Sequence, residues 1–258
     1  MKNRKEVLLS AVYIGIMGVG MTLSYRGFGI AYSNPGIVVS LFPFEIVMTL
    51  MSVIVYLKHY RRTSFGRLHP TPSFVIYAAF LLVIASISIY EGSLFEEREI
   101  LFFVIGTNLL VGISEELMFR GIVLHGFLVE RTKLESVLLS SLLFSLLHSV
   151  NVLAGFSPAD MSIQLVNTFI FGVFASLMAI DIGTILPLMA IHAIWDTIVS
   201  SNAFVMDHAV LVASFMLLEI VIAIVLLARL YRDEHGKGRN GGDFRLEDAA
   251  SDEWENLQ

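Results

Sequence analysis

Residues 99–120 read EILFFVIGTNLLVGISEELMFR, an apolar run that closes on two adjacent carboxylates and a guanidinium, Glu115, Glu116 and Arg120. A run of this length crosses about 30 Å of hydrocarbon as a helix. Seven further apolar runs surround it, near 7–25, 37–57, 73–90, 136–153, 162–180, 184–201 and 209–231. Of the 258 residues 56% are apolar and 16% charged, with a mean hydropathy of +0.76. Soluble domains carry about 25% charged residues. The runs do not alternate apolar with polar, which argues against a β-barrel. The expected fold is an all-α integral membrane bundle of about eight transmembrane helices.

Lys and Arg set the orientation. Lys2, Arg4 and Lys5 precede the first run, which is too long for a signal-peptide core and has no cleavage site after it, so it reads as a retained span. Lys58, Arg61, Arg62 and Arg67 follow the second run, Arg131 and Lys133 the fourth, and Arg229, Arg232, Lys237 and Arg239 the eighth. The alternate loops hold only Arg26 and Arg98, and Glu91 to Glu99 is acidic. This alternation predicts cytosolic termini in a multi-pass plasma-membrane protein of prokaryotic type. Residues 1–231 form the membrane domain, and 232–258 read as a polar, disordered cytosolic tail. Gly121 to Glu130 is amphipathic, and either extends the fourth helix or lies along the interface. With no cysteine there is no thiol nucleophile and no disulfide. Net charge is −6 and no basic stripe is present, so no nucleic-acid partner is expected.

Ionisable groups inside spans are costly and mark function by default. Three spans carry them as clusters: Glu115, Glu116 and Arg120; His148; and His192 with Asp196. Glu116 and Arg120, four apart, share a helix face and pair in the favourable order. Adjacent Glu115 points about 100° away and stays free. His192 and Asp196 also share a face. A carboxylate beside an imidazole can deprotonate water, and a second imidazole can donate to a developing oxyanion. Taken singly, a Glu–Arg pair is often a tie between helices and a lone buried His is more often hydrogen-bonded than catalytic. Three such clusters together favour chemistry. Glu45 and Glu219, alone in their spans, read as structural. No HExxH, GxSG or GxGD motif is present. No cofactor is expected; a zinc ion held by Glu115, His148 and His192 is the minority alternative.

Glu115-Glu116-x-x-x-Arg120, Phe144-x-x-x-His148 and His192-x-x-x-Asp196, in this order and over about 99–200, resemble the motifs of the CPBP family. This family comprises the CAAX-type prenyl endopeptidases and related bacteriocin-processing and immunity proteins. The resemblance implies an intramembrane endopeptidase of glutamic type. Glu115 would activate water with His148, Glu116 would be held by Arg120, and His192 and Asp196 would stabilise the oxyanion. The prenyl-protease branch carries Asn where this chain has Asp196, which weakens an assignment to CAAX processing; an ionised Asp orients His192 or a water instead. The implied partner is a membrane-associated peptide or protein, lipidated or not. Competing readings are a non-enzymatic immunity or scaffold protein of the same family and a proton-coupled transporter. The fourth, fifth and seventh spans are expected to form the cavity, opening toward the cytosol. His148 fits that opening poorly, because it lies some twelve residues into its span.

Overall fold

The structure is a computed structural model that describes residues 3–61, 66–92 and 98–236. Most of the expected tail, and part of the acidic Glu91 to Glu99 segment, lie outside the described residues. All regular structure among the described residues is helical. Helix α1 (Arg4–Thr22) widens into a π-helical turn over Leu23–Gly27. It is followed by α2 (Ile37–His59), α3 (Pro72–Glu91) and α4 (Leu101–Leu128). Then come α5 (Lys133–His148), prolonged by a 3-10 turn over Ser149–Ala154, and α6 (Pro158–Ile182). The chain closes with α7 (Leu186–Val199), the short α8 (Asn202–Asp207) and α9 (Ala209–Gly236).

Among the described residues seven helices are long and apolar enough to cross a membrane, and the chain is a multi-pass membrane protein. The eighth expected span is α7, which is only 14 residues long. Its brevity follows from its ends. Gly183, at φ +71, stops α6 in a conformation that glycine adopts without strain, and Pro187 lies in the first turn of α7. Ser200 and Ser201 then break the chain before α8, with Ser201 Oγ accepting from Phe204 N. Elsewhere, polar caps stop the helices where the apolar runs stop. Thr132 and Glu135 form a reciprocal capping box at α5, and Ser157 caps α6 ahead of Pro158.

Gly121 to Leu124 is fully buried, and the helix runs on to Leu128. This segment therefore extends α4 and does not lie along the interface. Large apolar side chains such as Leu50, Leu82, Ile163 and Ile224 face outward, as lipid contact requires.

The termini end of the bundle is tied by polar contacts. Asn3 Nδ2 donates to Gly126 O at 2.9 Å, and Arg131 Nε donates to Asn3 Oδ1 at 3.0 Å. Tyr60 Oη donates to Glu6 Oε1 at 2.8 Å. Burial and this carboxylate hold the Tyr60 phenol well above its usual pKa, so it remains a donor. The opposite end is made by the loops 28–36, 155–157 and 200–201. Two apolar clusters fill the bundle. One is built mainly on α3, α6, α7 and α9 around Tyr77, Phe174 and Phe215; the other, on α1, α2, α4 and α5, surrounds Met48, Phe119 and Phe144. The seam between them passes between α4 and α7.

Candidate functional site

Gly112 brings α4 and α7 together. A Cβ at this position would lie 2.5 Å from Met189 O and 2.9 Å from Ala193 N, so the backbones touch where any side chain would separate them. Small residues permit this close approach between membrane helices. One turn further along α4, Glu115 and Glu116 face His192 across the contact.

Beyond Glu115 the helix loosens into a π-helical stretch, Glu116–Leu124. Such wide turns recur at functional sites. Within it, Arg120 Nη1 donates to Glu116 Oε1 at 2.9 Å, both residues being fully buried. The guanidinium lies over the Phe144 ring at 4.3 Å and within 5.6 Å of the Phe171 ring centre. Phe144 and Phe171 thus give the cation two π faces in place of water.

His192 Nδ1 donates to the same Glu116 Oε1, at 2.9 Å. Its other nitrogen, Nε2, lies 3.7 Å from Glu115 Oε2 and 3.4 Å from Asp196 Oδ2. One imidazole therefore stands among three carboxyl groups and is held by the Glu116–Arg120 pair. Glu115 Oε2 is buried without a hydrogen-bond partner in the protein.

His148 closes α5. Its Nδ1–H donates to Phe144 O at 3.2 Å, and its ring stands edge-on to Phe144 at 5.2 Å. With Nδ1 so engaged, Nε2 of the neutral ring keeps its lone pair. Among the described residues no ion pair joins His148 to Glu115; the imidazole within reach of that carboxyl is His192.

Glu115, His148, His192 and Asp196 all line one cavity of about 640 Å³. The cavity is wider than three spans. Residues of α1, α2, α6 and α9 also line it, among them Glu45 and Glu219. Ser114 Oγ donates to Glu45 Oε2 at 3.4 Å, and Tyr77 Oη donates to Glu219 Oε1 at 2.7 Å. The structural reading of these two acids is therefore incomplete: each is tied to a neighbour and also faces the cavity. Phe171 carried no signal in the sequence, because a phenylalanine in an apolar span says nothing of what it covers. Among the described residues no three His, Asp or Glu side chains are disposed to hold one metal ion.

Every lining residue lies at a helix midpoint or on the side away from the termini. Tyr32, Ser33, Asn34 and Pro35, Phe156, and Ser200 and Ser201 form the mouth. The cavity therefore opens at the end opposite the termini, which overturns the expected opening at the termini end. The misfit of His148 has the same origin: it lies far from the start of its helix because the mouth is at the other end.

Buried carboxylates and imidazoles thus line one cavity inside an all-helical membrane bundle. Residues 97–198 match a family model described as type II CAAX prenyl endopeptidase Rce1-like. Over that segment the chain is similar to this family of CAAX-type intramembrane proteases. No curated protein and no solved structure matches the chain.

Proposed function

We propose that the protein is an intramembrane endopeptidase that hydrolyses a peptide bond by water activated at Glu115. One observation carries the reading: a buried carboxyl oxygen, Glu115 Oε2, lacks a hydrogen-bond partner on a cavity wall and stands 3.7 Å from an imidazole nitrogen. An unpaired polar atom in an apolar bundle costs roughly 1–3 kcal/mol and persists where function uses it.

Glu115 takes a proton from water as the oxygen attacks the scissile carbonyl, and returns it to the leaving nitrogen as the C–N bond breaks. His192 is oriented through Nδ1 by Glu116, so that Nε2 faces Glu115 and the cavity; as an imidazolium it donates to the oxyanion. Asp196, 3.4 Å from that nitrogen, orients it. His148, with Nδ1 engaged by Phe144 O, offers Nε2 as an acceptor for the attacking water. In this proposal the chemistry needs no metal, and both termini lie in the cytosol of a prokaryotic cell.

Purified protein in liposomes should cleave a membrane peptide, and Glu115→Gln should lower the rate at least 100-fold with folding intact. Chelators should leave the wild-type rate unchanged. Inhibition reversed by a stoichiometric divalent ion would move the mechanism to a metal. A Glu115→Gln protein as active as wild type would end the assignment of the base.

A further inference from the structure

The cavity mouth and the basic residues lie at opposite ends of the bundle. Lys58, Arg61, Arg67, Arg131, Lys133 and Arg232 cluster at the end that holds the termini. Arg26 and Arg98 are the described Lys or Arg residues at the mouth end. Short loops rich in Lys and Arg stay in the cytosol. The mouth, formed by Tyr32 to Pro35, Phe156 and Ser200 to Ser201, then faces away from the cytosol.

The lining adds a second constraint. It includes four carboxyl groups, Glu45, Glu115, Asp196 and Glu219, and among the described residues no lysine or arginine. A site that captures a free C-terminal carboxylate needs a cation or a cluster of backbone donors to receive it. The two imidazoles of the lining do not supply such a receptor, because His192 is engaged by Glu116 and flanked by Glu115 and Asp196, and His148 donates to Phe144 O. The remaining wall is acidic, which disfavours a free carboxylate and tolerates an uncharged or basic internal segment.

We infer that the site is reached from the extracytosolic face and acts on an internal bond of a membrane-tethered segment exposed on that side, not on the free C-terminus of a cytosolic protein. The substrate half of this inference rests on the peptidase reading; the access half does not. A substrate of this class comes from a reaction that exports or inserts a polypeptide into the membrane.

The naturally cysteine-free chain allows a direct test. Ser33→Cys, at the mouth, and Lys133→Cys, at the termini end, would each be treated in spheroplasts with a membrane-impermeant sulfonated maleimide. Ser33→Cys should label in intact spheroplasts, and Lys133→Cys only after permeabilisation. The reverse pattern overturns the inference. Two single-span reporters, carrying the same test segment on either side of the membrane, examine the substrate. Cleavage of the extracytosolic reporter alone, lost in Glu115→Gln, supports the assignment; cleavage of the cytosolic one overturns it. If labelling places the mouth outside and neither reporter is cut, the peptidase reading fails and the substrate assignment falls with it, while the direction of access stands.

Discussion

Arg120 is fully buried and is matched by one carboxylate and two aromatic faces. Glu116 Oε1 receives both its guanidinium and the His192 ring, so one oxygen fixes the charge balance and the orientation of the imidazole. Arg120→Ala would strand Glu116 in the bundle, at a cost of about 3–5 kcal/mol. Partners available in the membrane-unfolded state reduce that figure. The double variant Arg120→Ala with Glu116→Ala should recover part of the lost thermal stability in detergent, because no charge is stranded, yet should regain no activity, because His192 has lost its anchor. Recovery of both together would show that the pair holds the fold and nothing else. The pair itself was legible in the sequence, since spacing of four fixes a shared helix face. The Phe144 and Phe171 faces on the guanidinium were not, because contacts between helices leave no mark in local spacing.

Helices α4 and α7 meet through Gly112, and the site depends on that contact. Gly112→Ala would drive a methyl into Met189 O and the Ala193 backbone, neither of which can swing aside. Overpacking of this kind costs about 1–3 kcal/mol. The variant should melt earlier in detergent and lose rate more than stability alone explains. Gly15→Ala, with nothing within 4 Å of its added Cβ, should do neither. Equal behaviour of the two variants would remove Gly112 from the argument. At this scale the sequence disclosed the seven span-length helices of the described residues and, as an eighth span, the apolar helix α7, which is too short to be one. It did not disclose the π-helical stretch after Glu115, which depends on how the surrounding helices pack. Nor did it disclose that α7 is short, since the apolar run 184–201 extends past both ends of the helix.

The whole bundle places its proposed chemistry at the seam of two packed clusters and opens away from the basic end. The sequence held both facts needed for this, the Lys and Arg bias and the depth of His148. A depth counted along one span acquires a direction only when the other helices are laid beside it. The length of α7 reaches further still. Fourteen residues rise about 21 Å, against about 30 Å of hydrocarbon in an ordinary bilayer. Lipid beside a short wall thins to match it, at a cost of fractions of a kcal/mol per Å. A neighbouring substrate helix in that thinned patch would be too long for its surroundings, and the turns that project past the hydrocarbon could exchange helix hydrogen bonds for water. Unwinding, which any helical substrate must undergo before its carbonyl is attacked, would then be promoted by the bilayer itself. The rate in liposomes should accordingly rise as the acyl chains are shortened from 18 to about 14 carbons, with Glu115→Gln inactive throughout; a rate that ignores chain length would show that hydrophobic mismatch has no part in it.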